Sequence, residues 1–391
     1  MSLLSVPDLI EALISAEPAA AAQRERVRVV RAPGRVNLIG EYTDINDGHV
    51  LPAAIDLEIR MAYLPTTGRQ VRLTRLDENA QGSFELGVER ERSRDWLDYV
   101  AGTAWALDEA GHELNGLCAV ITADLPPNAG LSSSAAIELA SAWALLGDAA
   151  DGMDQMELAR ICQHAENAYV GVKSGLMDQF ASSCGVAGAA LILDCRSLEW
   201  RPVSLPAGLE LVVCHTGAPR NLDGSAYNER REQCEAAVAV LAADDPTITA
   251  LRDVSLEQLD EAGDRLDPVV RRRALHVVTE EARVAQTVAA IEADDRTEIG
   301  RLFAASHASL RDQFEVSSPA LDAMVEVARS VPGVVAARMT GAGFGGCTVN
   351  LVEPGTLTAL RTAVERDYAT RTGLRPMVLP VKPAVGAGRL D

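Results

Sequence analysis

The first regular pattern in the chain is Val27-Arg-Val-Val-Arg-Ala32, a β-branched run halted by Pro33-Gly34, and it predicts a strand over 27–32. From 93 to 107, Trp96, Val100, Ala104 and Leu107 share one helical face, with Ser93 as cap and Gly111 closing the helix. A strand over 117–121 follows, then a polar turn containing proline, then a helix of small residues over about 133–146. Asp154 caps another helix, with Glu157 in the reciprocal capping position and Gly171 just past its end. Strands are expected over 189–194 and 209–215, and helices over 225–242 and 271–293. Two more strands flank a glycine-rich turn near residue 343, while 244–267 is acidic and reads as irregular surface. Strands and helices mix in both halves, so the expected class is α+β with two domains, 1–195 and 196–391.

Composition narrows the function classes. The 391 residues are 48% hydrophobic and 24% charged, the balance of a folded chain, and at 4% aromatic the core must rest on Ala, Val and Leu. No apolar run approaches the ~20 residues needed to cross a bilayer. The first 17 residues carry acids and no basic start, unlike a secretion signal, so a cytoplasmic location is expected. A net charge of −20 argues against nucleic acid and against anionic membrane as partners. Any phosphate site must then gather backbone amides, a few arginines and a metal, because Lys173 and Lys382 are the only lysines. The seven cysteines form no CxxC pair, which speaks against a zinc site or a disulfide framework.

Four segments carry chemistry. In Leu125-Pro-Pro-Asn-Ala-Gly-Leu-Ser-Ser-Ser-Ala-Ala136, three serines open an Ala-rich helix. Unpaired amides at a helix start attract anions, and a hydroxyl there can reach a metal riding on a phosphate. A simple N-cap needs only one of the serines. After the first strand, Arg35, Asn37, Glu41, Asp44 and Asp47 share one loop. It is either a polar surface loop with internal ion pairs or a set of carboxylates for sugar hydroxyls beside a charge-stabilising arginine. In Gly175-Leu-Met-Asp-Gln-Phe180, Asp178 lies between apolar neighbours and is either a helix cap or a desolvated general base. In Arg338-Met-Thr-Gly-Ala-Gly-Phe-Gly-Gly-Cys-Thr348, four glycines in six residues allow close approach by a ligand or another loop.

Taken together, the GRVNLIGE-TD, GLSSSAA, G-MDQ and RMTG-GFGGC stretches, in this order, resemble the galactokinase branch of the GHMP kinase superfamily (galacto-, homoserine, mevalonate and phosphomevalonate kinases). Gly224-Ser-Ala-Tyr-Asn-Glu-Arg-Arg-Glu-Gln-Cys-Glu235 is also similar to a stretch of that branch, and the match runs from about Val27 to Val352. The resemblance implies an N-terminal α/β domain with a left-handed βαβ crossover, a ferredoxin-like C-terminal domain, and ATP and Mg²⁺ bound between them. It implies Asp178 as catalytic base, with Arg35 paired to it and stabilising the transferring phosphoryl group. Glu41, Tyr42, Asp44, Gly175 and Tyr227 match sugar-binding positions. Asn128, Ala129, Gly130, Leu131, Ser132, Ser133 and Ser134 match the triphosphate loop, and Trp96 and Tyr99 lie in a stretch similar to one bordering adenine. Ser134 and Glu166 match the magnesium ligands; by spacing alone, Glu166 reads as an exposed helix acid.

Two positions depart from the pattern: Tyr42 stands where the family usually has His, and Asn128 where the loop usually has Gly. A tyrosine cannot become cationic near neutral pH. The expected substrate is therefore a neutral sugar with a small C6 group, galactose first, bound by a monomer or weak homodimer. The alternatives are N-acetylgalactosamine, galacturonate or arabinose as the sugar, a mevalonate- or homoserine-type kinase, and a non-catalytic sugar sensor.

Overall fold

The computed structural model describes residues 3–126, 129–218 and 225–390. Asn128 lies outside the described residues. The N-terminal half is built on a six-stranded sheet, in the order Gly388–Arg389, Arg28–Asn37, Pro52–Pro65, Leu117–Ala123, Gln70–Arg75, Ala80–Glu85. Its one parallel pair joins Gln70–Arg75 to Leu117–Ala123, with helix Trp96–Glu109 in the crossover. Helix Ser133–Leu146 packs on the two longest strands and is flanked by helices Trp96–Glu109, Gln155–His164 and Met177–Cys184. Every residue from Ala135 to Leu146 is buried, so this helix is enclosed on all sides. Its alanines permit that, since neighbours can approach where side chains are small.

The C-terminal half carries an antiparallel sheet ordered Val334–Thr340, Cys347–Val352, Glu210–His215, Met377–Val381. Numbered along the chain, that spatial order reads 4-1-3-2 from the far edge, the ferredoxin-like arrangement of a split βαβ pair. The long helix Pro268–Glu292 and helix Arg296–Asp312 lie alongside each other, and the latter covers Val334–Thr340. The chain crosses between halves more than once. Hairpin Ala189–Asp194/Trp200–Ser204 has residue 195 in its turn, and the tail returns through Gly388–Arg389 to pair with Arg28–Asn37. No described helix is long and apolar enough to cross a membrane.

Three local expectations need correction. The first strand does not stop at Pro33-Gly34; it runs Arg28–Asn37 with a register shift between Pro33 and Arg35. A bulge there absorbs Gly34, where a Cβ would lie 2.4 Å from Leu125 and 2.7 Å from the Leu131 carbonyl. The helix expected from Ser93 begins at Trp96 under an Asp95 cap, because Asp98 draws in the Ser93 and Arg94 amides and holds them outside the helix. Segment 244–267 is not irregular surface: helix Leu256–Ala262 has a Ser255–Gln258 capping box, and Ile248, Leu251, Leu259, Ala262 and Leu266 are buried. Their spacing is helical, but acidic neighbours mask it.

Candidate active site

Helix Met177–Cys184 follows Leu176, which provides no side-chain cap, and Asp178 in its first turn does not cap it either. The Asp178 carboxylate instead meets Arg35, which donates from Nε to Oδ1 at 2.7 Å and from Nη2 to Oδ2 at 2.6 Å. The third arm of the guanidinium donates to the Gly130 carbonyl at 2.7 Å. Side-chain exposure is 5% for Arg35 and 24% for Asp178, so the arginine lies behind and the carboxylate faces the opening. A bidentate charged pair of this kind fixes orientation as well as charge.

Ser132 adds a third donor: its hydroxyl reaches Asp178 Oδ2. Its backbone is left-handed, φ 58°, and it gives helix Ser133–Leu146 no side-chain cap. Among the described residues, the first amide of that helix to find a backbone partner is Ala136, on the Ser132 carbonyl at 3.1 Å. The N-cap reading of the serine run therefore fails at Ser132, and among the described residues the first turn keeps unpaired amides of the kind that favour an anion. Ser133 is exposed, Ser134 is partly exposed, and Ala129 and Leu131 are buried beneath them. The glycine-rich turn packs on this loop from the C-terminal half. A Cβ at Gly346 would lie 2.9 Å from the Ala129 carbonyl, and one at Gly341 would lie 3.1 Å from the Gly130 carbonyl. Another loop, then, accounts for those glycines.

The loop after Arg28–Asn37 is tied to the C-terminal half. Glu41 is buried, receives Arg338 Nη2 on Oε2 and accepts the Gly341 amide on Oε1 at 3.1 Å. Burial pushes its pKa up and Arg338 opposes the shift. Tyr42 is buried with φ 66°, donates its hydroxyl to the Ala342 carbonyl at 2.7 Å, and packs between Tyr227 and Phe314 at centroid distances of 5.1 and 4.4 Å. Asp44 is only partly buried and accepts the Ile45 amide at 3.0 Å. Burial first, and then the charge of Asp178, raises its pKa to about 7. The Tyr227 hydroxyl meets the Gly175 backbone, and burial followed by the Asp44 charge raises its pKa.

Gly175 has an evident steric reason: a Cβ there would sit 2.0 Å from Asp44 Oδ2. Any side chain at this position must therefore displace the Asp44 carboxylate.

Glu166 sits in a π-helical turn, Ala165–Val170, that extends helix Gln155–His164. Such turns recur at functional sites because they re-aim one side chain. It is buried rather than an exposed helix acid. Oε2 accepts from Ser174 Oγ and, at 3.0 Å, from Gln179 Nε2, and the Ser134 hydroxyl also reaches this carboxylate. Burial raises its pKa most, with Ser174 opposing. Tyr99 stands near Glu166 and Glu138, while Trp96, one turn before it, packs against the main core. Sequence reading missed Ser174, Gln179, Glu138 and Arg338 as part of this assembly. Gln179 and Arg338 lay inside quoted motifs, which was a usable signal; Ser174 and Glu138 offered none.

The glycine-rich turn of the ferredoxin-like half thus lies against the loop before helix Ser133–Leu146, beside the Arg35–Asp178 pair, and comparison with known families identifies the chain as a GHMP kinase. Its N-terminal domain matches residues 98–186 and its C-terminal domain residues 287–370. The galactose-binding signature of galactokinases matches residues 20–65. A galactokinase of Roseiflexus sp. (strain RS-1) is 44% identical over 370 residues, 93% of each chain. The crystal structure of Lactococcus lactis galactokinase complexed with galactose superposes with a TM-score of 0.90 at 35% identity, covering 97% of this chain and all of that one. Methanococcus jannaschii mevalonate kinase shares the fold at TM-score 0.61 and 17% identity, over 91% of this chain. The chain belongs to the galactokinase family.

Proposed function

We propose that the protein transfers the γ-phosphoryl group of ATP to the anomeric hydroxyl of galactose, giving galactose 1-phosphate and ADP. Membership of the galactokinase family supports the reaction, and the galactose in the Lactococcus lactis structure supports the sugar. The observation that carries the mechanism is Asp178, held by Arg35 and Ser132 beside the uncapped start of helix Ser133–Leu146.

In this reading Asp178 accepts the anomeric proton as the sugar oxygen forms its bond to phosphorus and the bond to the ADP oxygen breaks; the proton then passes to solvent. The first-turn amides face the charge spread over the transferring group, and Arg35, bonded behind Asp178, adds positive potential beside it. Asp44, Gly175 and Tyr227 grip sugar hydroxyls. Glu41 backs that pocket while Arg338 and Gly341 hold its oxygens. The hydrogen of the Tyr42 hydroxyl is engaged by Ala342, so that side chain offers neither a cation nor this donor to a sugar carboxylate, which favours galactose over galacturonate.

Ser134 and Glu166 would hold Mg²⁺. Both are hard oxygen donors, and a buried carboxylate whose pKa burial has raised gains most from a neighbouring cation. Bound there, Mg²⁺ would neutralise charge on the β- and γ-phosphates. Trp96 and Tyr99 are assigned to the adenine side.

Purified protein tested for ADP release across a panel of sugars checks the reading: galactose should dominate, and release with none of them would overturn it. The Asp44 pKa of about 7 gives a further expectation. Only the ionised carboxylate accepts two sugar hydroxyls, so kcat/KM for galactose should rise with pH through about 7 and level off above it. Asp44→Asn should flatten that limb. The same limb in both proteins would assign it elsewhere.

A further inference from the structure

Gln179 and Glu138 are both fully buried, at 0% exposure, and the mechanism above uses neither. Gln179 Nε2 donates to Glu138 Oε2 at 3.0 Å and to Glu166 Oε2 at 3.0 Å. One amide thus joins three helical segments at a single point. Ser133–Leu146 carries Ser134 and, one turn on, Glu138. The π-turn Ala165–Val170 carries Glu166, and Met177–Cys184 carries Asp178 and Gln179. Each segment therefore supplies one oxygen-bearing side chain of the site and one part of the joint.

The joint is not what packing alone would select. Gln179 Oε1 and Glu138 Oε1 are buried without a hydrogen-bond partner among the described residues. Leaving such buried oxygens unmatched is unfavourable, and an apolar side chain of the same size would avoid it. What the polar pair provides is direction. An amide can present either its NH₂ or its oxygen, and an oxygen turned toward Glu166 would repel the carboxylate. With a second acceptor, Glu138, on the same side, the amide presents its NH₂ to both carboxylates.

We infer that Gln179, oriented by Glu138, is a positioning residue that sets the Glu166 carboxylate for a divalent cation. This rests on the assignment of Glu166 to the metal. Supports of this kind behind a metal ligand commonly affect affinity 10- to 100-fold.

The test is direct Mn²⁺ binding in the presence of ADP, followed by the EPR signal of free Mn²⁺, on wild type, Gln179→Met, Glu138→Gln, Glu138→Met and Glu166→Ala. Gln179→Met should weaken Mn²⁺ by about 10-fold or more, with the galactose Kd unchanged. Glu138→Gln, which keeps an acceptor for the amide, should retain most of the affinity, and Glu138→Met should lose it. Wild-type Mn²⁺ affinity in Gln179→Met, while Glu166→Ala has lost it, overturns this inference alone. Unchanged affinity in Glu166→Ala removes the metal assignment and the inference with it. An equal loss of galactose binding in Gln179→Met marks general disruption and also overturns it. If Gln179→Met does not fold, Glu138→Met is judged by the same thresholds; failure of both to fold assigns the pair to core packing and overturns the proposal.

Discussion

Asp178→Asn is expected to lower turnover by roughly 100-fold or more, the usual size of a general-base contribution, while the nucleotide still binds. The substitution is close to isosteric, so the opening keeps its shape. Its chemistry changes in two ways. The amide cannot accept a proton from the anomeric hydroxyl. Its NH₂ must also face a donor, because Arg35 Nε and Nη2 and the Ser132 hydroxyl all point at this group. Arg35 then loses one of two charged hydrogen bonds at a site where it is itself buried. Pre-steady-state phosphoryl transfer, with nucleotide binding measured beside it, separates the two effects. A variant that turns over near the wild-type rate would remove Asp178 from the chemistry.

The second large effect is on stability. Arg338→Met should cost about 3–5 kcal/mol, the range for removing one partner of a buried ion pair. Arg338 is fully buried, donates to the Leu38 carbonyl at 2.8 Å and to Glu41, and lies 3.8 Å from Glu280. Without it two buried carboxylates lose compensation. Burial alone would raise the pKa of Glu280, yet Arg283, His276 and Arg338 together hold it at about 2. A carboxylate depressed in this way contributes stability that is present above its unfolded value near 4.5 and is lost as pH falls toward 2. In Arg338→Met the folded pKa of Glu280 rises toward the unfolded value, so less of this stability is present at pH 7 and less remains to be lost on acidification. Chemical denaturation of both proteins at pH 7 and pH 4 checks it, and a difference below about 1 kcal/mol at neutral pH would contradict the reading.

These two residues also mark what the sequence makes legible. The helix over 133–146 and the strand over 189–194 are placed as expected, because a small-residue run and a short apolar run with clean boundaries leave little choice. The mixed architecture follows from alternation in both halves. The motif segments could be recognised as chemical, and the fold brings Arg35, Asp178, Ser132 and Gly130 within hydrogen-bond reach of one another. What a linear reading lacks is the partner. Arg338 and Glu41 are 297 positions apart, so their pairing has no local trace. Glu138 stands in an alanine-rich helix, and spacing does not reveal that every residue from Ala135 to Leu146 is covered. Pro33-Gly34 reads as a stop because the bulge it forms depends on Leu131 arriving from another loop.

The most direct test follows the acceptor atom. Purified protein is incubated with ATP, Mg²⁺ and galactose carrying ¹³C at C1, and the products are followed by ¹³C and ³¹P NMR. The account predicts that the C1 resonance becomes split by phosphorus, with one ADP formed for each galactose 1-phosphate. Phosphate on another carbon, or ATP consumed while the sugar stays unmodified, would contradict it.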